Sequence, residues 1–219
     1  MASIVVAGDT SGTVTLTAPA VSGTTTLTLP TTSGTIVTGT TPSGTIVGTS
    51  DTQTLTNKTL GAGTVMPTGS VLQVVSTFKS DTFSTSSTSM VDITGMSVSI
   101  TPTSATSRIL VLINLTVGPA GGNFAPVNLV RNGTNIAQPT TSSTYQATLN
   151  NYSGEGSGFL AGSAQPQYAL SFLDSPATTS ALTYKLQIYT TNGTAFVNTR
   201  PASQNGTCTS TLTIMEIKG

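Results

Sequence analysis

Ser-Gly-Thr recurs near the start of the chain at Ser11, Ser22, Ser33 and Ser43, a spacing of eleven, eleven and ten residues. Between these marks threonine alternates with apolar residues: Thr13-Val14-Thr15-Leu16-Thr17, then Thr26-Leu27-Thr28-Leu29, then Thr35-Ile36-Val37. Alternation with period two is a strand pattern with one wet face. Pro19, Pro30 and Pro42 fall near the end of each unit, and with the glycines they turn or bend the chain.

A period this short means an extended array of small units rather than a globule. Each unit supplies only two or three apolar side chains. At about 25 cal/mol per Å², these do not offset the ordering of roughly ten residues at about 1–2 kcal/mol each. The array is therefore expected to borrow apolar surface from other chains. Three copies wound about a common axis would do this and would also hide the strand edges. A monomeric β-solenoid is the rival arrangement, but four loosely matched units make a poor one.

Residues 1–70 hold no aromatic ring and three charged side chains, Asp9, Asp51 and Lys58. The stretch Ser50 to Leu60 breaks the repeat, and Gly61, Gly63, Pro67 and Gly69 follow it as a joint. The organisation read from this is a β-repeat shaft or attachment region at 1–49, a joint or neck at 50–70, and a head at 71–219.

From Val71 the chain gains aromatics, scattered charges and longer apolar runs. Strands are expected at 71–78, 90–100, 108–117, 127–131, 134–137, 168–173, 181–189, 195–197 and 209–217, with one more inside 145–160. Asn132-Gly133 and Asn192-Gly193 are two-residue hairpin signals, because both residue types accept positive φ. Pro102, Pro119, Pro126, Pro139, Pro166, Pro176 and Pro201 fall between the expected strands, where a missing N–H does no harm. No helical periodicity persists over three turns. The fold class expected is all-β: an extended β-repeat region followed by a jelly-roll sandwich, assembled as a trimer.

Charge and residue type exclude much chemistry. Seven basic and seven acidic side chains give a net charge of zero, so no electrostatic grip on nucleic acid is expected. The opening MASIVVAG has no basic start and too short an apolar run for a signal peptide. No stretch is long enough for membrane insertion as a helix. Cys208 is the lone cysteine, so no intrachain disulfide forms; it reads as a buried small hydrophobe.

With no histidine, Ser-His-Asp and Cys-His catalysis and imidazole metal sites are ruled out. A glycosidase would need two carboxylates at a set separation. The head offers Asp81, Asp92, Glu155, Asp174 and Glu216. Asp174 precedes Ser-Pro and reads as a local turn cap, and Glu216 reads as a strand-end charge or interchain pair. Gly154-Glu-Gly-Ser-Gly158 lacks the lysine and helix of a phosphate loop. No catalytic residue, metal or cofactor is expected, and the chain is not read as an enzyme.

The run Asp51-Thr-Gln-Thr-Leu-Thr-Asn-Lys-Thr-Leu60 resembles a joint found in bacteriophage tail-fibre and related virion proteins. The Ser-Gly-Thr units and Thr15-Leu-Thr-Ala-Pro-Ala20 resemble the repeats upstream of that joint. Phe172-Leu-Asp-Ser-Pro-Ala-Thr-Thr-Ser-Ala-Leu-Thr-Tyr-Lys-Leu-Gln187 and Thr209-Ser-Thr-Leu-Thr-Ile-Met-Glu-Ile217 resemble the C-terminal knob of such fibres. Those knobs are similar to the trimeric jelly rolls of the tumour-necrosis-factor and C1q type.

The resemblance implies a structural virion protein, made in the bacterial host cytoplasm, that acts as a homotrimeric tail fibre or appendage in host attachment. Its N-terminal region would join another virion protein, and its head would meet a host surface glycan or protein. The alternative is a capsid decoration or head fibre docking through residues 1–70, since the chain is short for a full tail fibre. A more distant alternative is an ice-binding protein, because Thr-X-Thr rows also make flat hydroxyl faces; thermal hysteresis tests it.

With ten alternating strands, the connections at the tip would be 79–88, 118–125, 140–151, 174–180 and 200–207. Phe124, Tyr145, Tyr152 and Arg200 are the side chains there best able to supply contact area, and they are the receptor-contact candidates.

Overall fold

The computed structural model describes residues 3–7, 13–17, 64–119, 124–141, 146–150, 166–199 and 206–219. They fall into two units, Met1–Thr59 and Leu60–Gly219.

In the first unit, β1 (Ser3–Ala7) pairs antiparallel with β2 (Thr13–Thr17), Ser3 opposite Thr17 and Ala7 opposite Thr13. The first alternating run thus finds a strand partner within its own chain, in the Ser-Ile-Val-Val-Ala stretch before it. An isolated two-stranded hairpin is marginal in water. The later repeats and the Asp51–Leu60 joint lie outside the described residues.

The second unit is all-β among the described residues. Its strands are β3 (Val71–Lys79), β4 (Phe83–Thr85), β5 (Val91–Ile100), β6 (Arg108–Pro119), β7 (Val127–Arg131) and β8 (Thr134–Ile136), then β9 (Gln167–Asp174), β10 (Leu182–Ile188), β11 (Ala195–Val197) and β12 (Ser210–Ile217). Every pairing is antiparallel.

One sheet runs β5-β10-β7-β8. The other holds six strands in four lanes. β12 pairs with residues 108–114 of β6, and β11 with residues 117–119. β3 lies on β12 and β4 on β11. The lanes are therefore β4/β3, β11/β12, β6 and β9. Taken as lanes, the two sheets have the jelly-roll order.

The core lies between the sheets and follows from alternation. β10, Leu-Thr-Tyr-Lys-Leu-Gln-Ile, buries Leu182, Tyr184, Leu186 and Ile188 and turns Thr183, Lys185 and Gln187 away. β12 does the same with Leu212 and Ile214, and β6 with Ile109, Val111, Ile113 and Leu115. Asn132 (φ 45) and Gly133 (φ 86) close the β7–β8 hairpin in the left-handed region, as that pair of residues requires. Asn192-Gly193 serves differently: β10 and β11 belong to different sheets, so this turn carries the chain across the sandwich.

The unit is entered and left at one end. There the Gly69 N–H donates to Lys218 O at 2.8 Å and the Lys218 N–H to Ser70 O at 2.9 Å. β6 runs away from this entry end and β9 runs back, with Thr116 opposite Gln167 and Ile109 opposite Asp174. Connections 101–107, 132–133 and 175–181 therefore lie at the entry end. The strand ends joined by 86–90, 118–126, 137–166 and 189–194 lie at the far end, and Asn198 and Ser210, which bound 198–209, lie just below it.

The expected tip position of 174–180 is thus corrected. That expectation counts a full strand inside 145–160. There, Leu149 makes one isolated bridge to Val127, and 151–165 lie outside the described residues. β9 runs toward the entry end and β10 away from it, each opposite to the direction that count gives.

Candidate functional site

Phe124, half-buried, stands at the far end at the close of the β6–β7 connection. Its N–H donates to Thr191 Oγ1 at 3.2 Å, and the Thr191 N–H donates to its carbonyl at 3.2 Å. This ties the 118–126 connection to the β10–β11 crossing, a far-end connection that the strand count had missed. Tyr145, Tyr152 and Arg200 lie outside the described residues.

Below the far end, both outer lanes break at one level. β3 stops at Lys79 and resumes as β4 at Phe83; β11 stops at Val197 and resumes as β12 at Ser210. Asn198, buried and at φ 59, fills the break. Its Nδ2 donates to the carbonyls of Lys79 (2.9 Å) and Asp81 (3.1 Å), and Ser210 Oγ donates to its Oδ1 at 2.6 Å. Lys79 is itself buried and reaches Asp81 at 2.9 Å, holding that exposed carboxyl below its ordinary range.

Beside this joint lies an uncharged cleft of about 550 Å³, lined by Ser80, Thr116, Gln167, Thr207, Cys208 and Thr209. Cys208 is half-buried at its edge rather than in the core.

Two further polar clusters lie toward the entry end. Asp174 on β9 accepts from Arg131 Nη1 on β7 at 2.6 Å to each oxygen, and from the Tyr184 hydroxyl on β10 at 2.6 Å. One carboxylate thus joins the two sheets, where a local turn cap had been expected. Burial, then the Asp174 hydrogen bond, raises the Tyr184 phenol far above its ordinary value.

Glu216 is buried and accepts from Gln73 Nε2 at 2.6 Å and from the Thr103 N–H and hydroxyl, each at 2.7 Å. Burial works to raise its pKa, but the surrounding donors outweigh it and the net direction is downward. Ser107 Oγ is close enough to favour the charged form but lacks a partner in hydrogen-bond geometry. Glu216 is thus neither an exposed strand-end charge nor without in-chain partners, because β12 alternation points it inward.

Each carboxylate among the described residues is engaged in this way. Asp92 holds Lys185 at 2.8 Å and Gln187 at 2.7 Å. No described group of three His, Cys, Asp or Glu residues is arranged to hold a metal. No described helix is long and apolar enough to cross a membrane.

The outward face of the β3-β12-β6-β9 sheet is the remaining feature of the site. Register sets its rows: Val74, Met215, Leu110 and Leu173; then Ser76, Thr213, Leu112 and Ser171; then Phe78, Thr211, Asn114 and Ala169. It is apolar in the row nearest the entry end, hydroxyl-rich in the middle row, and mixed in the row nearest the cleft, where Phe78 stands.

No protein-family model matches the chain, and no curated protein matches it. Solved structures of infectious bursal disease virus show a loose likeness. The D431N mutant of its VP2 protein, in derived T=1 particles, superposes with TM-score 0.36 at 13% identity, covering 75% of this chain and 41% of that one. The Gt strain structure gives 0.36 at 15%, covering 75% and 43%, and the VP2 subviral particle gives 0.35 at 13%, covering 74% and 46%. This chain spans less than half the length of those chains, and at these scores the likeness carries no argument about function.

Proposed function

We propose that the chain is a structural virion protein, a homotrimeric phage fibre or appendage whose head contributes to host attachment. The supporting observation is the polarity of the second unit. Its polypeptide enters and leaves at one end, and the strand ends joined by its longest connections, including 137–166, lie at the other. An appendage needs this arrangement, with an attachment end and a loop-built end free to meet a glycan or protein on the host. The resemblance of residues 51–60, 172–187 and 209–217 to fibre joints and knobs supports the same reading. Residues 1–70 join the trimer to another virion protein.

Gold-labelled antibodies raised against residues 64–219, applied to purified virions, test the proposal. Label at the tail or on a projecting fibre is the expected result. Label over the whole capsid shell would favour a head decoration, and a virion that carries none of the protein would overturn the proposal.

A further inference from the structure

We infer that copies of this chain meet through the outward face of the β3-β12-β6-β9 sheet, centred on Val74, Met215, Leu110 and Leu173. The inference rests on the homotrimer reading and names the surface that reading leaves open.

The two outward faces of the sandwich differ in chemistry. On the β5-β10-β7-β8 sheet, the outward side chains include the Lys185–Asp92 ion pair, Gln187, and Ser99 hydrogen-bonded to Thr183. That is an ordinary water-facing surface. On the other sheet, Val71, Val74, Phe78 and Leu173 are 50%, 54%, 63% and 43% exposed. They are four of the six large hydrophobics exposed among the described residues; Val65 and Met66 lie in the entry segment. Leu110, Leu112, Met215 and Ile217 lie half-buried between them. Scattered exposed apolar residues need no explanation, but a contiguous face of them marks an interface.

Size and polar chemistry point to a second copy as occupant. Four lanes about 4.8 Å apart, each about eight residues long, give a face of about 19 by 26 Å. That is roughly 500 Å² in projection, and more as accessible surface because the side chains stand off the sheet. A standard interface takes about 800 Å² from each partner.

Arg108, at the entry margin, is the one charge on these rows. A charged partner finds almost nothing to pair with, whereas three copies that turn this face toward a common axis bring no like-charge conflict at its centre. The polar groups within the face are mainly hydroxyls: Ser76, Thr211, Thr213 and Ser171. Ser76 and Thr213 already pair with each other at 2.7 Å, and a hydroxyl both donates and accepts, so these groups demand no charged partner.

The test uses the full chain and measures its mass in solution by light scattering. Val74→Glu with Leu173→Glu places like charges at the proposed contact without touching the core. The expected result is a wild-type mass of three chains falling to one, with an unchanged circular dichroism spectrum. A double variant that stays trimeric overturns the face and leaves the homotrimer reading standing. A monomeric wild type overturns both. If the variant does not fold, carbene footprinting of the wild-type trimer decides. Protection of residues 71–79 and 167–174 relative to the 182–188 strand supports the face, and equal labelling overturns it.

Discussion

Asn198 and Lys79, 119 residues apart, meet through a buried hydrogen bond of 2.9 Å from side-chain amide to carbonyl. The contact exists because two adjacent lanes break at the same level, leaving backbone carbonyls that no strand can satisfy. Asparagine suits the position twice over. It tolerates the left-handed backbone, and its amide offers two donors and an acceptor in one plane. An excursion of about ten residues can then leave the middle of a strand lane without opening the core.

Asn198→Ala leaves the carbonyls of Lys79 and Asp81 and the hydroxyl of Ser210 without their partner. A loss of about 2–4 kcal/mol is expected, because each buried polar group left unpaired costs about 1–3 kcal/mol. Asn198→Asp keeps the size but turns an oxygen toward the two carbonyls, so it should destabilise as well. Urea denaturation monitored by circular dichroism checks both. A tolerated aspartate would show that donation to these carbonyls is not what holds the joint.

How much of this was legible depended on range. The strands followed from local alternation, and β7 and β11 fell at the residues expected for them. β4 was missed because Phe83-Ser84-Thr85 is too short to show a period. Asp174 looked like a turn cap because Ser175-Pro176 follows it, but its partner Arg131 is 43 residues away. Such pairings depend on which strands become neighbours, and local patterns do not carry that. Likewise the apolar outward face emerged only when β3, β12, β6 and β9 were laid in register. Of the contact candidates, Phe124 alone falls within the described residues.

The Asp174 cluster yields an order of effects. Arg131→Met leaves a nearly buried carboxylate without its cation. Breaking such a pair costs about 3–5 kcal/mol when it is fully buried. Arg131 is partly exposed, so about 2–4 kcal/mol is expected after solvent screening. Tyr184→Phe keeps the packed ring and removes one hydrogen bond to a charged group, for about 1–2 kcal/mol. Thermal denaturation of both variants should rank the arginine change as the worse. The reverse order would show that the hydroxyl, not the ion pair, joins the sheets.

Glu216 gives the fold an acid sensitivity of known sign. Its pKa is lowered in the folded chain from an ordinary value of 4.5. Its stabilising contribution is therefore complete above 4.5 and fades as pH falls below that value toward the folded pKa. Asp81 and Asp92 are shifted the same way by Lys79 and Lys185. The urea midpoint should therefore stay level down to about pH 5 and drop below it. Glu216→Gln should lower the midpoint at pH 7 and flatten part of the acid drop. An unchanged acid slope would mean that Glu216 keeps the same pKa folded and unfolded.

Phe124→Ala tests the far end as a contact surface. The backbone of Phe124 is tied to Thr191 in both directions through N–H and carbonyl. Truncating the ring leaves those bonds in place, so the connection should hold its path and the proposed trimer its mass. Half-buried at the far end, the ring can give area to a partner. Loss of an aromatic contact weakens a binding site by about 1–3 kcal/mol, or roughly five- to 150-fold in affinity. Virions carrying the variant should therefore adsorb to host cells at least several-fold more slowly. Unchanged adsorption with an intact trimer would remove Phe124 from the contact surface. Slower adsorption with a lost trimer would assign the ring to assembly instead.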